Sequence, residues 1–222
     1  MRERVKNMID SQIPDFYRQW LRNICPSFPV DPLFLILRTS NCRARSYRKL
    51  AQLKGVTVQD VAEAFGSQDG CTHYKRKTGK YLISYNDMGR PPARVRWTLA
   101  HELGHIFCGH FLEIEGSGLS EVPDELMKEM EEEADYFAAS LLAPFPAIRK
   151  TKAKSAEDVR NYFGLSVSAA NYRWTEYRNF SGPHPLDDFF RCQRITLRWK
   201  FQQASKSYWR VQREMQNAGN DY

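Results

Sequence analysis

The stretch "WTLAHELGHIFCGH", residues 97–110, sets His101, Glu102 and His105 in the spacing H-E-x-x-H. On a helix the two histidines stand one turn apart, about 6 Å along the axis and roughly 40° round it, so both imidazoles can face one ion. Glu102 lies beside them, where a carboxylate can hold a water and take its proton. Composition alone would produce ~0.007 matches to this pattern in a chain with 5 histidines among 222 residues, so the spacing carries information. The uncharged neighbours Thr98, Leu99, Ala100, Leu103, Ile106 and Phe107 imply a buried helix in which water can be controlled.

A hydrolytic zinc ion takes a third protein ligand and keeps one position open. His110 is the nearest histidine, but Gly109 and His110 do not fit the H-E-x-x-H-x-x-G-x-x-H spacing of three-histidine sites. A continuing helix would turn His110 about 140° away from His105. It therefore reads as a partly exposed histidine at a helix end, where the dipole favours it. The other source is "EMEEEADYFAASLLAP", residues 129–144, most of whose carboxylates read as a solvated helix face. Glu131 and Asp135, four apart, share one side. The first could coordinate the ion while the second accepts an N–H from a ligand histidine. Periodicity leaves Glu133 open as well, one turn before Phe137.

These residues need two helices to position them. Pro91 and Pro92 suit the first turn of a helix over about 91–110, and Pro123 and Pro144 bound a second over about 123–143. Gly104 is unfavourable inside a helix by roughly 1 kcal/mol relative to alanine, which predicts a close approach to a neighbour. Ala134, Ala138 and Ala139 are small enough to provide it. Upstream, "SYRKLAQLKGVTVQDVAEAFGSQDG" reads as two short helices with Thr57 as a cap, and "CTHYKRKTGKYLISYNDMG" as a β-hairpin. Downstream, "SAEDVRNYFGLSVSAANYRWTEYRNF" gives two more helices about a Gly-Leu turn.

The pairing of "RVRWTLAHELGHIFCGH" with "EMEEEADYFAASLLAP", and the upstream "GSQDGCTHYKRKTGKYLISYND", resemble the ImmA/IrrE family of metallo-endopeptidases from about Pro29 to Phe180. That resemblance implies Glu131 as the third ligand. It also implies an α+β, zincin-like metallopeptidase core, mostly helical with a small antiparallel sheet, and a helix-turn-helix-like helical segment. The organisation expected is an N-terminal helical extension (1–28), the metallopeptidase core (29–150), the helical segment packed on it (151–180) and a basic C-terminal tail (181–222). The chain resembles the short ImmA-like branch. The activity implied is cleavage of a helix-turn-helix transcriptional repressor encoded nearby, of a phage, mobile element or stress response. One Zn²⁺ is expected per chain, with Mn²⁺ or Fe²⁺ also compatible with the ligand types. Glu102 would be the catalytic base, His101, His105 and Glu131 the ligands, and Asp135 the outer partner. A substrate strand could add to the edge of Tyr81–Tyr85. Tyr172, Arg173 and His73 are candidates by type for stabilising the oxyanion. The alternative is an antirepressor that binds its target through a metal-stabilised fold without cutting it.

Charge and composition bound these readings. Basic residues outnumber acidic by 10 to 4 in 1–50 and by 14 to 7 in 145–222, whereas 51–144 carries 9 against 15. Basic flanks raise the question of DNA, yet the presumptive recognition helix 166–178 offers only Arg173 and Arg178, so direct specific DNA binding is not expected. The five scattered cysteines contain no C-x-x-C pair and read as reduced thiols. Charges through the first twenty residues exclude a signal-peptide core, and no apolar run is long enough to span a bilayer. A cytoplasmic protein is expected.

Overall fold

The structure, a computed structural model, describes residues 1–20, 27–114, 122–192 and 196–197. Helix α1 (Glu3–Trp20) buries Val5, Ile9, Ile13 and Tyr17, four residues apart, along one face. A short strand β1 (Ser27–Phe28) precedes α2 (Pro32–Arg38), which is capped by the Asp31 carboxylate accepting from Leu33 N–H at 3.0 Å. Strand β2 (Cys42–Ser46) runs into α3 (Tyr47–Lys54), with the Ser46 hydroxyl as N-cap. Thr57 and Asp60 cap α4 (Val58–Ala64) reciprocally, as the sequence predicts for Thr57.

Strands β3 (Gly70–Lys75) and β4 (Lys80–Tyr85) form the expected antiparallel hairpin, with Thr72 opposite Ile83. Strand β2 then joins β4 in parallel, Ala44 opposite Ile83, so the sheet order is β2-β4-β3. The α+β class holds, and the sheet is mixed rather than wholly antiparallel. The chain between β2 and β4 contains α3, α4 and β3, long enough for a parallel return. The strand order also corrects the expected docking edge. Strand β4 is central, both of its edges are paired, and no added segment can use Tyr81–Tyr85. Among the described residues the outer strands of this sheet are β2 and β3.

The second half is helical: α5 (Pro92–Phe107), α6 (Asp124–Leu142), α7 (Phe145–Thr151), α8 (Ala156–Phe163), α9 (Val167–Asn179) and α10 (Asp187–Cys192). Strand β5 (Thr196–Leu197) pairs in parallel with β1. Two buried arginines fasten α8 and α9 to the rest. Arg96 of α5 donates to the carbonyls of Val30 (2.9 Å), Gly164 (2.7 Å) and Phe163 (3.1 Å). Arg173 of α9 donates to Ala143 at 2.9 Å and lays its guanidinium 3.9 Å from the Phe145 ring centre. Helix α1 docks on α6, where the Tyr136 hydroxyl donates to Asp10 at 2.7 Å and the Tyr17 hydroxyl donates to the Leu141 carbonyl. Cys42, Cys71 and Cys108 are free thiols. Cys25, Gly116, Gly118 and the tail aromatics Trp199, Phe201, Tyr208 and Trp209 lie outside the described residues. Among the described residues, no helix is long and apolar enough to cross a membrane.

Helices α5 and α6 come close together at Gly104. A Cβ placed on Gly104 would lie 2.9 Å from the Ala134 carbonyl oxygen, 3.0 Å from its Cα and 3.2 Å from Phe137 Cβ. The glycine is there because two backbones meet, and Ala134 is the partner that the sequence predicts. Gly104→Ala should therefore destabilise, the clash of roughly 1–3 kcal/mol outweighing about 1 kcal/mol of gained helix propensity. Thermal unfolding checks this: the midpoint should fall by several degrees, whereas relief of a merely unfavourable glycine would raise it.

Candidate metal centre

Helix α5 presents His101 and His105 with their Nε2 atoms 3.0 Å apart. Glu131 of α6 faces both, with Oε2 3.2 Å from His101 Nε2 and Oε1 3.4 Å from His105 Nε2. Donors about 2.0–2.1 Å from one tetrahedral ion stand roughly 3.3–3.5 Å from one another, so the set fits a divalent cation with little movement. Among the described residues these three form a group whose ligand atoms lie within 4.8 Å of one another.

The outer nitrogens are committed elsewhere. His101 Nδ1 meets Asp135 Oδ1 at 2.8 Å, the arrangement the sequence predicts for Asp135. A carboxylate only accepts, so Nδ1 carries the hydrogen and Nε2 is left for the ion. His105 Nδ1 meets His110 Nδ1 at 2.8 Å, and His110 Nε2 meets Glu133 Oε2 at 3.0 Å. Glu133 in turn receives the Arg2 backbone N–H and Nε at 2.9 Å and Nη2 at 2.8 Å.

His110 is thus not an exposed helix-end residue: it is 0% exposed, as is Glu133. The helix does not continue as expected. It stops at Phe107, Gly109 takes φ of 79°, open to glycine at little cost, and a 3₁₀ turn from His110 to Leu112 folds the imidazole beneath His105. His110 is still no ligand, because both its nitrogens are occupied by His105 and Glu133. The choice between Glu131 and Glu133 is likewise geometric. Two residues apart, they point about 160° apart around α6, so one faces the ion site and the other the rear of the α5–α6 contact.

Electrostatics follow the geometry. Burial opposes a charge on His101, yet the hydrogen bonds to Asp135 and Glu131 and the field of Glu102 prevail and raise it to about 10. The hydrogen bonds from His101 and His105 hold Glu131 far below the usual carboxylate range. Burial and the neighbouring His105 push His110 down to about 4, against the pull of Glu133, so its imidazole is neutral at pH 7. Burial works against ionised Glu133, but the Arg2 and His110 hydrogen bonds overcome it and keep the carboxyl low.

Glu102 is buried beside the ligands, and its Oε2 accepts the Thr72 hydroxyl at 2.8 Å. Thr72 went unnoticed in the sequence. Hairpin alternation separates it from Cys71 and His73 but does not say which face meets α5. A cleft of about 580 Å³ opens over the site, bordered by four consecutive residues of β3, Gly70 to His73, and by Phe65, Trp97 and Met127. Of the oxyanion candidates, His73 lines this cleft, Tyr172 is exposed on α9, and Arg173 is buried under Phe145 and cannot reach it.

Residues 53–175 match the model of the peptidase M78 family, the IrrE N-terminal-like domain, and that match covers more than half of the chain. The chain belongs to this family. The matched stretch of the IrrE-like domain holds every residue of the centre from Thr72 to Asp135, while Arg2 lies outside it. A metallopeptidase fold and a site for a divalent metal follow from the membership together with the His/His/Glu group. No match to the chain was found among curated proteins.

Two outcomes follow for metal uptake. Titrating the IrrE-like chain with a divalent ion to ~100 times its dissociation constant should stabilise it by about 2.7 kcal/mol, visible as a raised unfolding midpoint, and His105→Ala or Glu131→Ala should erase the shift. An ion that binds His101 Nε2 displaces its proton, so apparent affinity should climb toward tenfold per pH unit between about pH 6 and 8. Calorimetric titration across that range measures the slope, and a flat profile would show that His101 is already deprotonated.

Proposed function

We propose that this IrrE-like chain is a Zn²⁺-dependent endopeptidase whose target is a helix-turn-helix repressor encoded nearby. The observation that carries the peptidase reading is Glu102, held by Thr72 beside three convergent ligands at the floor of a cleft. A divalent ion in the site supplies Lewis acidity toward a peptide carbonyl and an attacking water. Thr72 fixes one oxygen of Glu102. The other takes the proton of the attacking water and delivers it to the leaving amine.

The substrate is an extended segment. Among the described residues strand β3 is an outer strand of the sheet and borders the cleft, so its outward backbone groups can hydrogen-bond an added strand. Phe65, Trp97 and Met127 offer apolar walls to the side chains flanking the scissile bond. Zinc is favoured by the two-nitrogen, one-carboxylate donor set. The repressor as target rests on the resemblance to ImmA/IrrE peptidases. Binding of specific DNA by the α8–α9 pair is disfavoured by the burial of Arg173, one of the two arginines that the reading needs.

The test is incubation of Zn²⁺-loaded protein, wild type beside Glu102→Gln, with the helix-turn-helix protein encoded next to it, followed by intact-mass analysis. A defined cut should appear with wild type and slow by roughly 10²–10⁴-fold with the variant, which keeps its ion. If both proteins bind the target and neither cuts it, the chain is an antirepressor instead.

A further inference from the structure

Behind the ligands lies a second, buried set of polar groups that water activation does not use. His110 and Glu133 are wholly buried, and Arg2, just ahead of α1, reaches Glu133 from 131 residues away in sequence. We propose that Arg2, Glu133 and His110 form a positioning relay that fixes the tautomer of His105 and makes metal affinity depend on the docking of α1. The proposal rests on His105 being a metal ligand.

Donor and acceptor counting leaves one consistent arrangement. Three Arg2 N–H groups converge on Glu133, which can only accept. The 3.0 Å contact from Glu133 to His110 Nε2 must therefore be donated by the imidazole. His110 Nδ1 is then a bare acceptor, and the 2.8 Å contact to His105 must be donated by His105 Nδ1. With a hydrogen fixed on Nδ1, His105 leaves Nε2, the atom that faces Glu131, as the one that can take the ion. Without the relay the same ring can place its hydrogen on Nε2, where it cannot coordinate. Asp135 does this for His101 in one step from a half-exposed position, whereas His105 depends on three residues and a second helix.

Arg2 is the unusual member. Its guanidinium also meets Glu113 at 2.7 Å, just after the 3₁₀ turn that carries His110, so one side chain ties α1 to both ends of the relay. Helix α1 is further held on α6 by the Tyr136–Asp10 and Tyr17–Leu141 hydrogen bonds. Loss of the Arg2 contacts leaves Glu133 buried without its cation.

The experiment measures Co²⁺ affinity by competition with a chelator, together with the visible spectrum of bound Co²⁺, for wild type, His110→Leu, His110→Gln, Arg2→Met and His101→Ala, all well below their unfolding temperatures. Outer partners of metal ligands typically contribute 10–100-fold in affinity. His110→Leu should lose about that much and shift the Co²⁺ bands. His110→Gln should recover most of the loss, because an amide oxygen can accept from His105 while its NH₂ donates to Glu133. Arg2→Met should weaken binding roughly 3–10-fold, the smaller share expected one step further out. A merely structural role would lower stability in all three without separating Leu from Gln in affinity or spectrum. If His110→Leu folds and binds as wild type does, the relay is overturned and the metal reading stands. Should His110→Leu not fold, Arg2→Met and His110→Gln decide, and wild-type affinity in Arg2→Met would overturn the coupling to α1. If wild type binds no more tightly than His101→Ala, the metal reading fails and takes the relay with it.

Discussion

Where α5 meets α6, Gly104 lies so close to Ala134 that no side chain fits between the two backbones. The distances from Glu131 and Asp135 to the two histidines depend on this contact. Helices in ordinary contact have axes 8–10 Å apart, and an extra 1–2 Å here would carry the Glu131 carboxylate out of reach of both imidazoles. The same contact divides the surroundings into two flanks. Glu131 and Asp135 turn to one and meet His101 and His105 in the cleft, while Glu133 turns to the other and meets His110 and Arg2 in the interior. A single glycine thus lets one pair of helices build both the ligand set and its support.

The two histidines of the candidate centre are held in unlike ways. His101 leans on Asp135, whose side chain is 56% exposed, so its support is wet and can adjust. His105 leans on a fully buried chain that ends in an ion pair with Arg2. Buried polar chains are stable only when every member is satisfied, and here donors and acceptors alternate from Arg2 to His105 without a gap.

What could be read from the sequence was local and periodic. H-E-x-x-H, the four-residue step from Glu131 to Asp135, the Thr57 cap and the Gly104–Ala134 contact all depend on spacing along one element, and each appears in the structure where it was expected. What was missed depends on how elements meet. The fate of His110 turned on Gly109, whose positive φ ends the helical phase that had been projected through it. Arg2 belongs to the centre through the docking of α1, which no pattern near Glu133 announces. Strand β4 is central rather than an edge because "CRARS", polar and short, supplies the third strand, and strand order is set by packing rather than alternation. Family resemblance, not periodicity, decided between Glu131 and Glu133. Around α6 the two residues point far apart, and Glu131 is the one that faces His101 and His105.

Thr72 joins two parts of the site that are otherwise separate. It sits on the outer strand that borders the cleft, and its hydroxyl holds the carboxylate of Glu102. On the proposed peptidase reading, a guest segment that draws β3 straight would therefore also set Glu102, and one that pairs poorly would leave it misaimed. Discrimination among targets would then show in turnover more than in how tightly they are held, so a tightly bound decoy could be a poor substrate.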